Sequence, residues 1–141
     1  TTPLRFNPCR NHKKNWPNMQ DKTLIKWLKE PEEHNYPAAL SYLSLLYKES
    51  EAGKLAKQLK TAVISSFKAK DIFRASSLSL LGISNAHVKR DKEKIETGTP
   101  LSPLLLVRDA ANGKLIIADG YHRLCAVYTY DEDALIPCKI V

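Results

Sequence analysis

Cysteine is scarce in this chain. Cys9, Cys125 and Cys138 are three in number and far apart. An odd, scattered set gives no disulfide framework and fits a reducing, cytoplasmic compartment. Cys125 and Cys138 read as small buried hydrophobes. Long apolar runs are missing too: none approaches the ~18 residues of a membrane span, and no signal-peptide hydrophobic region stands at the N-terminus. The four histidines, His12, His34, His87 and His122, show no metal-ligand spacing among themselves or with the cysteines. There is no Gly-x-x-x-x-Gly-Lys-[Ser/Thr] phosphate loop and no Gly-x-Ser-x-Gly elbow, which excludes P-loop and α/β-hydrolase chemistry. Internal repeats and low-complexity linkers are absent.

What is there is ordinary globular composition, 43% hydrophobic and 26% charged over 141 residues. That length suits one domain with a real core. The net charge is +7, and the excess is concentrated. Basic residues dominate residues 5–29, and Lys54, Lys57, Lys60, Lys68, Lys70 and Arg74 face only Asp71. Such stretches can follow a nucleic-acid backbone. Few aromatics interleave with them to stack on bases, so a solvated basic surface is the stronger expectation.

Residues 1–62 read as an N-terminal helical extension expected to pack on the core of residues 63–141. Asp21 is placed to cap a helix over Lys22–Lys29 that ends at Pro31. Pro37 suits the first position of a second helix, Ala38–Lys48, with Leu40, Tyr42, Leu43, Leu45, Leu46 and Tyr47 as a wide apolar face. A third helix is expected over Ala52–Ser66. Ser76–Gly82 reads as a loop, and Ser84 or Asn85 caps a helix from Ala86 to Glu96. His87 falls in its first turn and would serve a site only by facing the Gly120 turn. Glu32-Glu33-His34 reads as solvated turn charges, with joining an active site across the fold as the alternative, and Asp131-Glu132-Asp133 reads as a solvent-exposed loop, with holding a cation or orienting a partner as the alternative.

The most informative stretch is Asp119-Gly120-Tyr121-His122-Arg123. It lies between an apolar run, Leu115–Ala118, and a helix-like run, Leu124–Tyr128. A strand should end in a tight glycine turn and a helix begin at once. The first N–H groups of a helix lack internal partners and carry the positive end of its dipole, which favours anions. His122 and Arg123 add donors there, and an arginine can grip a phosphate with two parallel hydrogen bonds. The same residues also suit a plainer role, with Asp119 as a cap, Gly120 as a special backbone angle and Arg123 as a solvated charge.

The flanks of this motif resemble the ParB/sulfiredoxin superfamily over roughly residues 63–141. Pro103–Val107 matches a first strand and Asn112-Gly113 a hairpin turn. Leu115–Ala118 matches a second strand, Gly120-Tyr121-His122-Arg123 the Gly-x-[His/Arg]-Arg box opening a helix, and Ile136–Val141 a closing strand. Tyr121 stands where sulfiredoxins carry their nucleophilic cysteine, so the resemblance does not extend to that activity. The box also departs from the CTP-binding pattern, and no helix-turn-helix unit follows it.

The expected fold is therefore α+β, a small mixed sheet with packed helices and an N-terminal helical layer. The expected function is phosphate or nucleotide binding, extended in this superfamily to nucleotide hydrolysis or phosphoryl transfer. Gly120, Tyr121, His122 and Arg123 would hold the ligand, with Asp119 and His122 as the candidates for catalysis. Partners would be a nucleotide, with or without magnesium, or another phosphorylated small molecule. The competing expectation is a non-enzymatic DNA-associated or protein-binding module that uses the basic N-terminal half.

Overall fold

A computed structural model describes residues 24–141. It contains five α-helices and a four-stranded mixed sheet, the expected α+β class: α1 Asn35–Leu46, α2 Glu49–Thr61, β1 Ile64–Lys68, α3 Ala69–Ser76, α4 Ala86–Thr97, β2 Leu104–Asp109, β3 Lys114–Asp119, α5 Tyr121–Tyr130 and β4 Leu135–Ile140. The strand order is β1-β4-β2-β3. β4 runs antiparallel to β1 and parallel to β2, and β2 and β3 form an antiparallel pair.

Alternation along the strands sorts the core into two layers. Leu105 and Val107 of β2 and Ile116 and Ala118 of β3 meet Tyr36, Ala39 and Leu43 of α1 and Leu59 of α2. Their neighbours Leu104, Leu106 and Ile117, with Ile136 and Cys138 of β4, pack instead with Leu124, Val127 and Cys125 of α5 and Val88 and Ile95 of α4. A period of two thus buries both faces of the sheet. Cys125 and Cys138 are free, fully buried thiols, and burial pushes Cys138 up to about 11. Lys139, on the opposite parity from Cys138, is also buried. Its Nζ donates to the Lys60 carbonyl at 2.8 Å and pairs with Glu30 at 3.1 Å.

Several expected elements are corrected. The part of the Lys22–Lys29 helix that is described, residues 24–29, is not helical. Trp27 bridges to Leu101, with the Leu28 amide donating to the Leu101 carbonyl and the Leu101 amide to the Lys26 carbonyl, both at 2.8 Å. The Asp21 cap and the basic residues before it lie outside the described residues. The second helix begins at Asn35, which puts Pro37 third in the helix, where its missing N–H costs nothing. Its buried stripe is narrow, Tyr36, Ala39 and Leu43, while Leu45 is 82% exposed. The third helix stops at Thr61. Ile64 and the residues after it pair with β4 instead, long-range strand pairing overriding the helical pattern. The β2–β3 connection is a 3-10 turn, Ala110–Asn112, closed by Gly113 at φ 62° rather than a two-residue hairpin.

Candidate functional site

Strand β3 ends at Asp119, Gly120 follows at φ 112°, and α5 begins at Tyr121. Glycine is required there twice over. The positive φ strains any other residue, and an added Cβ would lie 2.7 Å from Leu104 Cγ and 3.0 Å from Arg123 Nη2. The turn brings the helix start to one edge of a hollow of about 210 Å³. Asp119, Gly120, His122 and Arg123 line it from this side.

The opposite wall is helix α4. The Asn85 side chain caps it, accepting from the amides of His87 at 2.9 Å and Val88 at 3.3 Å. One helical face, His87, Arg90, Asp91 and Lys94, then points into the hollow. His87 meets His122 with ring centroids 4.8 Å apart, so it does face the Gly120 turn. The third wall is the segment before α1, which contributes Glu32 and His34. Buried Ser102 holds this segment, accepting from the Glu32 amide at 3.0 Å and from the Asn35 side-chain amide. Arg90, Asp91, Lys94 and Ser102 were not expected from the sequence as site residues. The signal that would have found the α4 residues is the polar spacing 87, 90, 91, 94, one turn and two turns apart on a capped helix.

Arg123 is not a free cation. Its Nη2 pairs with Asp119 Oδ2 at 2.9 Å and reaches the Pro103 carbonyl at 3.4 Å, with both charged side chains mostly buried. Its Nε–H is buried and has no acceptor among the described residues. Tyr121 does not line the hollow. Its hydroxyl donates to the Ser79 carbonyl in the loop between α3 and α4, and burial raises its pKa.

Every residue lining the hollow except Gly120 is ionisable. Arg90, Lys94 and Arg123 are matched in number by Glu32, Asp91 and Asp119, and three histidines share the lining. Burial, followed by the neighbouring His87, holds the His122 imidazole below its usual range, and Arg123 adds to that effect against Asp91. Burial raises the Asp91 carboxyl, offset in part by Arg123, Lys94, His122 and Arg90. Among the described residues no three histidine, cysteine or acidic side chains are arranged to hold a metal ion.

A larger hollow of about 410 Å³ lies between α3 and the sheet, walled largely by apolar residues such as Phe67, Ile72, Leu106 and Leu115. Asp71, Arg108 and Lys114 are the charged residues of its lining. The basic stretch from Lys54 to Arg74 is interrupted by acids. Lys70 and Lys68 reach Asp133 at 2.8 and 4.0 Å, Arg74 reaches Asp71 at 3.4 Å, and Lys60 reaches Glu33 at 4.0 Å. Among the described residues no helix is long and apolar enough to cross a membrane.

No family model fits the chain, and neither the curated proteins nor the solved structures contain a match to it.

Proposed function

We propose that the hollow at the start of α5 binds a phosphate group, inorganic or carried by a nucleotide or other small molecule. The observation that carries this reading is the Arg123 Nε–H, a buried donor with no acceptor among the described residues. A buried donor left unmet costs on the order of 1–3 kcal/mol, and an anion drawn against this guanidinium so that it reaches the Nε–H would remove that cost. The ion pair with Asp119 fits the same role, because it fixes the guanidinium beside the N-terminus of α5, where the dipole and the first amides favour negative charge.

The order of elements β2, turn, β3, Gly120 turn, α5 and β4 supports the resemblance to the ParB/sulfiredoxin superfamily. Hydrolysis or phosphoryl transfer would extend the binding role. His122, held toward its neutral form, is then the candidate base. Asp119, committed to Arg123, is better suited to positioning than to proton transfer. The unpaired, buried cysteines suit a reducing, cytoplasmic setting.

The test is a thermal-shift series with inorganic phosphate and with nucleoside mono-, di- and triphosphates, each with and without magnesium. A ligand at a hundred times its Kd adds about 2.7 kcal/mol to native stability. No shift with any phosphate at millimolar concentration would remove the reading.

A further inference from the structure

Asp91 also lacks a direct partner among the described residues, and it has the opposite sign; unlike the Arg123 Nε–H, its carboxylate oxygens keep some contact with solvent. It is 9% exposed and points from α4 toward the helix start. Its carboxylate makes no hydrogen bond and no close ion pair among the described residues, although Arg123, Lys94, His122 and Arg90 lie near enough to act on it through space. Asp119 differs in this respect, since Arg123 satisfies it. Glu32 differs as well, with a half-exposed side chain at the mouth of the hollow. A buried acceptor facing an anion site repels a fully ionised ligand and welcomes one that brings a hydrogen.

We infer that Asp91 makes the hollow select a phosphate group that still carries a proton, whose P–OH donates to the Asp91 carboxylate while α5 and Arg123 take the remaining oxygens. This inference rests on the phosphate-binding reading above and adds a rule of discrimination. Sulfate has the same shape but carries no proton near neutral pH, so it leaves Asp91 unmet and meets its charge directly. A site built around a ligand's hydrogen rejects the analogue lacking it far more strongly than shape alone permits. Inorganic phosphate and a phosphate monoester share the chemistry, but a monoester loses its last proton near pH ~6.

The experiment is titration calorimetry of the full chain with sodium phosphate and sodium sulfate near neutral pH, repeated on Asp91→Asn. The side-chain amide of Asn keeps the size and can donate as well as accept. Phosphate should bind at least roughly tenfold more tightly than sulfate to the native chain, and the ratio should fall to about threefold or less in the variant. Equal binding of the two anions by the native chain would overturn the selection while leaving the anion site standing. Selection that survives in Asp91→Asn would remove Asp91 from it. Binding of neither anion would overturn the phosphate reading itself. Glycerol phosphate, titrated at about pH 5.5 and about pH 7.5, separates the sources. A monoester source shows tighter binding than inorganic phosphate at the lower pH, and a free-phosphate source shows inorganic phosphate ahead at both.

Discussion

Asp119 and Arg123 close a 2.9 Å ion pair across the Gly120 turn, joining the last residue of β3 to the first turn of α5. Both side chains are largely withdrawn from solvent, with 18% and 16% of their surface exposed. A pair in that position is screened much less than one on the surface. Removing one partner leaves the other charge uncompensated. In a double-mutant cycle with Asp119→Ala and Arg123→Ala, the coupling in urea unfolding should be about 1–2 kcal/mol. Arg123→Ala should also lose phosphate binding. A coupling near zero would mean that the two side chains act independently.

Gly120→Ala tests the turn itself. A Cβ would collide with Leu104 Cγ, a fully buried neighbour with little room to move, at a positive φ. Strain and overpacking together should cost about 2–4 kcal/mol. The urea midpoint should fall with the slope of the transition unchanged. A variant as stable as the native chain would show that the turn relaxes freely.

His122 gives the site a pH signature. Its folded-state pKa lies below the ordinary value of 6.5, chiefly through burial. As pH falls through that value the unfolded chain takes up the proton first, so acidification lowers stability, and the loss levels off below the folded pKa. The raised Asp91 carboxyl acts in the opposite sense, favouring the folded chain at low pH and losing that contribution as pH rises through its folded pKa. Comparison with His122→Asn isolates the imidazole from Asp91, His87, Arg90, Lys94 and Arg123 around it. Between about pH 7 and about pH 5 the native melting temperature should fall further than that of the variant. Added phosphate should shrink the difference, because an anion beside the imidazole favours its charged form. Parallel melting curves for the two proteins would contradict the lowered pKa of the partly buried His122.

Nucleic-acid binding should be weak. Of the six basic residues between Lys54 and Arg74, Lys60, Lys68, Lys70 and Arg74 each have an acidic partner. Binding to duplex DNA should be independent of sequence and should fall steeply with salt. A titration of unrelated duplexes at two salt concentrations checks it. A single sequence held roughly a thousandfold more tightly, and still held at high salt, would contradict this expectation.

The sequence carried the C-terminal half of the fold further than the N-terminal half, for a physical reason. Leu115–Ala118, Gly120 and Leu124–Tyr128 carry local signals: a strand-length apolar run, a turn glycine and a helical stripe. They lie within a few residues of where the structure puts them. Asn85 announced its helix in the same way. Residues 64–66 continued a helical pattern yet became strand, because pairing with β4 about seventy residues away decided their conformation. Leu24–Lys29 likewise followed Leu101 rather than its own periodicity. At the site, Gly120, His122 and Arg123 were legible because one turn holds them. Glu32, His34, Arg90, Asp91 and Lys94 reach the hollow from two other segments, and only the tertiary fold brings them there.

The place of β4 has a consequence for how the chain reaches its native state. Although Leu135–Ile140 is later in sequence than the other three strands, it lies between β1 and β2. Before it arrives, β1 and the β2–β3 pair share no ladder, and each presents an open edge of unpaired N–H and C=O groups. Sheet closure is therefore a late event with high contact order, and it depends on about six residues. Through β4 it also sets when Lys139 reaches the Lys60 carbonyl between the sheet and its helices. During synthesis those edges stay open until β4 emerges, which makes that interval the time when the chain is most prone to pair with another copy of itself.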